Sequence, residues 1–273
     1  MDRVRRYYST YDEWGRLERP AGQLEFLRAM ELVERFVPED HRVLDLGSGP
    51  GRYAIALAER GHPVTLADAS GEQLVAARDR LSAAGLKAAE LRQADARDLS
   101  AWPDGSFDTV VAFGPFYHLI DADGRASAAA EIRRLLVPGG RLLAAVIPRL
   151  SGARGIIERA ARRSGQVGVK TLPTLLSTGV FENESNDGFP EAWYPTQSDV
   201  RKLFTKAGLT ELGFVSLRGL GAGMEQPLLD LRYHKPDLFE SAMEAIRETS
   251  EEPSVVDVGG HAVWVGERQS ASP

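Results

Sequence analysis

The segment Asp45-Leu46-Gly47-Ser48-Gly49-Pro50-Gly51 is the part of this chain best suited to hold a ligand. Glycines at alternate positions let backbone amides come close to a bound group, and a helix starting behind them favours negative charge. A dinucleotide loop needs G-x-G-x-x-G. Counted from Gly47 the last of those positions is Arg52, and counted from Gly49 it is Ala54 with Gly51 in the middle, so the dinucleotide match is weak. Asp68 lies one strand–helix–strand unit beyond Asp45, where a carboxylate can accept both hydroxyl protons of a ribose. That suits NAD as well and does not discriminate. Asp95, in Gln93-Ala94-Asp95-Ala96, is another candidate, with ordinary Asx-turn chemistry as the plainer role. His118, in Gly114-Pro115-Phe116-Tyr117-His118-Leu119, is the best candidate for a general base or acceptor-orienting group; hydrogen bonding to backbone is the alternative. The five histidines (His41, His62, His118, His234, His261) show no metal-ligand spacing, so no metal is expected.

These residues need a scaffold that brings strand ends together. Short apolar runs at Arg42–Leu46, Val64–Ala67, Ala88–Arg92, Phe107–Ala112 and Arg141–Ile147 alternate with helical segments at Tyr53–Glu59, Ser70–Ala84 and Arg125–Leu136. Strands that are continuously apolar are buried on both faces, which marks a parallel sheet covered by helices. Late strands at Leu212–Leu217 and Ala262–Val265, with helices at Gln197–Ala207 and Pro236–Glu248, complete the expected fold. The expectation is a doubly wound, mostly parallel, seven-stranded Rossmann-like α/β sheet with helices on both faces and an added cap or lid. The expected divisions are a helical cap (1–40), the ligand-binding core (41–147), a glycine- and proline-rich lid or substrate insertion (148–195), and completion of the sheet (196–273).

The acidic strand end followed by G-x-G-x-G resembles the first motif of class I S-adenosylmethionine-dependent methyltransferases. The likeness continues in order through Leu66-Ala67-Asp68-Ala69-Ser70, Gln93-Ala94-Asp95-Ala96, the Phe107–Leu119 segment and Leu136-Val137-Pro138-Gly139-Gly140-Arg141-Leu142. It spans about residues 42–147 and looks most like the small-molecule members. The resemblance implies that Asp68 grips the ribose diol and Asp95 accepts from the adenine amino group. It implies a cofactor set of Asp45, Gly47, Gly49, Gly51, Asp68, Ala69, Asp95, Ala96 and Phe113. The sulfonium cation favours acidic and aromatic neighbours over the basic ones a pyrophosphate wants. Pro138-Gly139-Gly140 reads as a turn that touches no ligand.

The N-terminal cluster Tyr7-Tyr8-Ser9-Thr10-Tyr11-Asp12-Glu13-Trp14-Gly15-Arg16 is dense in aromatics. Tyr7, Tyr11 and Trp14 have helical spacing and are expected to share a face. An amphipathic helix docked on the core is one reading. A cap over the cofactor is the other, and similar segments cap the cofactor in small-molecule methyltransferases. The resemblance then adds Tyr8 and Arg16 to the cofactor set, with Arg16 or Arg19 reaching the methionine carboxylate, and names Tyr11, Tyr117 and His118 as catalytic candidates. Ala112-Phe113-Gly114 lacks the acidic magnesium ligand of catechol-type enzymes, and Gly114-Pro115-Phe116-Tyr117 lacks the Asn/Asp-Pro-Pro motif of nucleobase methylases.

Lys and Arg total 33 against 39 Asp and Glu, a formal charge of −6, which argues against a nucleic-acid partner. With no cysteine, the chain suits a reducing compartment, and the cytoplasm is expected. No signal peptide or membrane span is expected, since the longest aliphatic run is Leu142–Ile147. Arg149, Arg154, Arg159, Arg162, Arg163 and Lys170 form a basic stretch that could attract an anionic acceptor, although a solvated helix face explains it as well. Phe181, Asn183, Phe189, Trp193 and Tyr194 are candidates for an acceptor pocket, and the acidic stretch 237–257 reads as a surface helix. The expected function is methyl transfer to a small-molecule acceptor. Attack on the cofactor's own carbons, by cyclisation or aminocarboxypropyl transfer with release of methylthioadenosine, is the alternative, and a non-enzymatic cofactor-binding protein is the third. Oligomeric state and acceptor are not legible.

Overall fold

The computed structural model describes residues 2–162, 167–183 and 189–270. A seven-stranded sheet forms its centre, in the order β3-β2-β1-β4-β5-β9-β8. Strands β1 (Val43–Leu46), β2 (Val64–Asp68), β3 (Glu90–Gln93), β4 (Phe107–Ala112) and β5 (Leu136–Val146) run parallel. Strand β9 (Ala262–Arg268) is antiparallel to both β5 and the edge strand β8 (Leu209–Ser216). β1 is buried along its whole length, as its position in mid-sheet requires.

Helices α4 (Arg52–Glu59), α5 (Gly71–Ala83) and α6 (Ala122–Leu135) cross between the parallel strands. Two helix starts are capped by side chains: the Ser70 hydroxyl accepts from the Gln73 amide, and Thr196 with Asp199 makes a capping box at the start of α9 (Gln197–Lys206). Phe204 of α9 stacks on the fully buried Trp264 of β9 at 4.5 Å, joining the last strand to the core. Beneath the sheet's other face lies α3 (Pro20–Phe36), whose apolar residues form a second core with Val43, Val64 and Val263.

Several local expectations are corrected. The turn expected at Val137–Gly140 lies inside β5. Phe107 pairs with Leu136 and Thr109 with Arg141, so the intervening residues bulge out through Gly139 at φ +78°. The aperiodic stretch after Ile147 contains α7 (Arg149–Arg162), α8 (Thr171–Thr178) and a hairpin of β6 (Val180–Phe181) and β7 (Ala192–Trp193). Its hydrophobic residues bury against one another in a small separate cluster, so the two-faced period of a sheet-packing helix is missing. The C-terminal part adds α10 (Glu225–His234) and α12 (Pro253–Val258) around the expected acidic helix, α11 (Pro236–Thr249).

The N-terminal aromatics do not share one face. Helix α1 (Asp2–Thr10) stops before Tyr11, and Asp12 caps a separate turn, α2 (Glu13–Arg16), by accepting from the Gly15 amide. Tyr7 and Tyr11 still stack, at 4.8 Å. Trp14 turns the other way, where the guanidinium groups of Arg52 and Arg80 lie 4.5 and 4.6 Å from its ring.

Candidate active site

At the C-terminal ends of β1, β2 and β4, where the strand order reverses direction, a cavity of about 120 Å³ opens. Open parallel sheets place ligands at this switch point. Its floor is the glycine loop and its roof is α1. The roof is fastened at two places: Arg3 pairs with Glu191 and donates to the Asn183 carbonyl at 3.2 Å, and the Gln73 amide donates to the Tyr8 carbonyl at 2.5 Å.

The glycines divide by role. Gly47 has φ +73°, and a Cβ there would lie 3.0 Å from the Pro115 ring, so this position needs glycine twice over. Gly47 and Gly49 line the cavity. Gly51 does not. Its missing Cβ would sit 3.0 Å from the Ala77 Cβ, so Gly51 lets α4 pack on α5 instead of facing a ligand.

The carboxylates divide similarly. Asp68 lines the cavity, each oxygen already accepting one backbone amide at 2.8 Å, from Gly49 and Ser70. Each oxygen keeps a lone pair for a ligand hydroxyl. Asp45 is 2% exposed, accepts from the Ala54 amide inside α4, and leaves Oδ2 without a partner beneath the loop. It therefore supports the loop rather than lining the cavity. Asp95 is committed elsewhere: Arg97 donates to both its oxygens at 3.0 and 2.7 Å, and it accepts the Arg97 amide, which is the Asx-type role. Ala94 and Ala96 on either side, with Ala69, form the cavity wall there, and Phe113 lines it too, edge-on to Tyr53 at 4.8 Å.

Tyr8, Tyr117 and His118 also line the cavity. His118 Nδ1 lies 3.3 Å from the Glu191 carbonyl, which can only accept, so Nδ1 carries the proton. Nε2 then accepts from the Tyr8 hydroxyl at 2.9 Å. Burial pushes His118 down to about 4, and burial holds the Tyr8 and Tyr117 phenols above their ordinary range. Tyr11 is displaced from the cavity wall by its stacking on Tyr7. Of the residues expected in an acceptor pocket, Phe189 alone comes near, 5.3 Å from His118 and 6.0 Å from Tyr7. Phe181 and Tyr194 fill the small cluster under α7, Trp193 packs in the main core beneath Arg125, and Asn183 donates to the Phe189 carbonyl.

The depressed His118 value gives a stability test. The unfolded chain takes up a proton near 6.5 and the native chain near 4. The contribution is complete above the unfolded value and lost as pH falls through that window, by roughly 3 kcal/mol in all. Unfolding in urea at pH 7 and pH 4.5 should therefore show a smaller acid loss for His118→Gln than for wild type; parallel losses would refute the buried neutral imidazole.

Arg16 reaches the cavity, bonded through Nε to Glu13 at 2.6 Å and through Nη1 to Glu25 at 3.1 Å, whereas Arg19 is exposed. Glu13, Ser48, Tyr53 and Gln73 also line the cavity and were not singled out from sequence. Ser48 lies inside the loop motif and Gln73 one turn past the Ser70 cap, so spacing alone marks both; Glu13 is placed by the break between α1 and α2, which no local pattern announces. The basic stretch is dispersed: Arg149 pairs with Asp199, Arg154 donates to the Val258 carbonyl, and Arg159 lies over Phe181 and Phe189. The Arg162 side chain and Arg163 lie outside the described residues. Among the described residues, no helix is long and apolar enough to cross a membrane.

Residues 43–140 match the family model described as a methyltransferase domain. The chain is 40% identical over 136 residues to the demethylmenaquinone methyltransferase of Thermus thermophilus, covering 48% of this chain and 58% of that protein. It is 28% identical over 191 residues to the glycine/sarcosine N-methyltransferase of Halorhodospira halochloris, covering 66% and 68%. The chain spans about half the length of most of the curated relatives it matches. A SAM-dependent methyltransferase from Methanosarcina mazei has the same fold, with a TM-score of 0.60 at 20% identity over 87% of this chain and 97% of that one.

Proposed function

We propose that the chain, whose residues 43–140 match a methyltransferase domain, is a class I, S-adenosylmethionine-dependent methyltransferase that moves a methyl group onto a small-molecule acceptor held beneath α1. The observation that carries the reading is Asp68: a carboxylate at the second strand end, pinned by the glycine loop's own amide and open to the cavity. The residues fit the cofactor. Asp68 can take the ribose hydroxyls, Ala69, Ala94 and Ala96 make an apolar slot for a base, and Arg16 supplies a cation for a carboxylate. When bound, S-adenosylmethionine supplies a methyl group already activated on a sulfonium.

The protein's remaining work is alignment, exclusion of water, and proton handling. Tyr8, Tyr53, Phe113 and Tyr117 line the cavity with aromatic surface. The buried neutral His118 can receive a proton at Nε2 through the Tyr8 hydroxyl when an acceptor loses one. The enclosed, largely apolar wall and the roofing helix support a small acceptor over a polymer. The similarity to C-, O- and N-methyltransferases leaves carbon, oxygen and nitrogen acceptors all open.

Ligand-induced stabilisation tests the reading. S-adenosylhomocysteine at roughly 100 times its Kd should raise Tm by about 5–10 °C, from about 2.7 kcal/mol of binding linkage. NAD at the same concentration should leave Tm unchanged; the reverse result would sink the proposal.

A further inference from the structure

The two ring nitrogens of His118 are held by different parts of the molecule. Tyr8 of α1 meets Nε2, and the main-chain carbonyl of Glu191, just before β7, meets Nδ1. In a neutral imidazole, the bond made by one nitrogen sets which of the two carries the proton. With the proton on Nδ1, Nε2 presents a lone pair and can receive a proton through Tyr8. With the proton on Nε2, that nitrogen can only donate, and His118 could receive nothing there. The Glu191 carbonyl therefore decides the direction of the relay, and its own position has to be secured.

The hairpin that carries this carbonyl is weak by itself. β6 and β7 share two residue pairs, Val180 with Trp193 and Phe181 with Ala192. A ribbon that short is marginal alone. Beyond those pairs, the Asn183 amide donates to the Phe189 carbonyl at 2.8 Å, and Arg3 bridges the two sides. Its guanidinium donates to the Asn183 carbonyl at 3.2 Å on one side and pairs with the Glu191 carboxylate on the other. Arg3 and Tyr8 belong to the same helix, so α1 sets both nitrogens of the imidazole, one directly and one through Glu191. We propose that Arg3 is a positioning residue: by clasping Glu191 it holds that residue's carbonyl against His118 Nδ1 and so leaves Nε2 able to take a proton. The proposal rests on the proton-handling role given to His118 above and deepens it.

Nitrogen-15 NMR of the full chain, labelled at histidine and held at pH 8 without ligand, reads the tautomer. The His118 signals are those missing from His118→Gln. Wild type should carry the proton on Nδ1. Arg3→Ala and Glu191→Ala remove no atom bonded to the imidazole, and the clasp is a partly exposed ion pair that contributes little to stability. Both variants should nevertheless lower the ratio of Nδ1–H to Nε2–H by about fivefold, the worth of one ordinary hydrogen bond. Arg3→Lys, which keeps the charge, should restore most of the ratio. A merely structural loss would leave the tautomer alone, so an unaltered ratio in both alanine variants would overturn the proposal. A wild-type imidazole protonated on Nε2 would do the same, as would a ratio in Arg3→Lys no higher than in Arg3→Ala. Since no ligand is present, these outcomes are separate from the cofactor reading, which fails if wild type binds no S-adenosylhomocysteine.

Discussion

Asp68→Ala is expected to lower the affinity for S-adenosylhomocysteine by about a thousandfold, roughly 4 kcal/mol. A hydrogen bond to a charged group contributes about 1.5–3 kcal/mol, and a ribose diol makes two. The carboxylate is well placed for this because the Gly49 and Ser70 amides already fix it, so little ordering remains to be done on binding. Those same amides lose their acceptor in the variant, which loosens the loop and adds to the loss. Methylthioadenosine should weaken by a similar factor, since it keeps the ribose. An affinity within about tenfold of wild type for both ligands would place the ribose elsewhere.

Asp45→Asn should change how stability depends on pH. Burial first, then the nearby Asp68 charge, raises the Asp45 carboxyl to about 7. The folded value exceeds the unfolded value of 3.8, so the native chain holds a proton that the unfolded chain releases. Stability from this site is complete below the unfolded value and lost as pH rises to about 7, by roughly 4 kcal/mol. The variant cannot titrate there. Measured in urea, the stability of Asp45→Asn relative to wild type should rise by roughly that amount between pH 4 and pH 8. The side chain of Asp45→Asn keeps an oxygen that can accept from the Ala54 amide, and any change in that contact adds an offset that does not vary with pH, so the slope is the readout. His118 works in the opposite direction over part of the same range, and the wild-type curve alone conceals both. Parallel curves for variant and wild type would show that Asp45 is ionised in the native state at low pH.

Much of the core was legible because its determinants are local. Alternating glycines between an apolar strand and a helix constrain the backbone wherever they occur, and continuous apolar strands demand a parallel sheet covered on both faces. Asp68, Gly47 and Gly49 reach the cavity for that reason: their positions follow from one strand–turn–helix–strand unit. The motif could not say which of its members face inward. Asp45 and Gly51 belong to the same run but serve packing, one beneath the loop and one against Ala77, because the strand's alternation and the helix's approach decide orientation. The likeness of Asp95 to an adenine ligand did not anticipate Arg97, two residues on, claiming both oxygens.

Tertiary structure alone decided the cap and how it meets the cavity. Tyr7, Tyr11 and Trp14 have helical spacing, yet Asp12 stops the helix and starts another, sending Trp14 to Arg52 and Arg80 and bringing Glu13 and Arg16 to the loop. Glu25 and His261 meet across most of the chain's length, and Tyr8 meets His118 across the cavity. Such contacts join segments remote in sequence, and no local propensity or spacing encodes them. The chain's own order thus determined the nucleoside-binding half of the site, built on neighbouring backbone. The half proposed to orient an acceptor and its proton was decided by how separate elements pack over it, since contacts between distant segments depend on the whole fold.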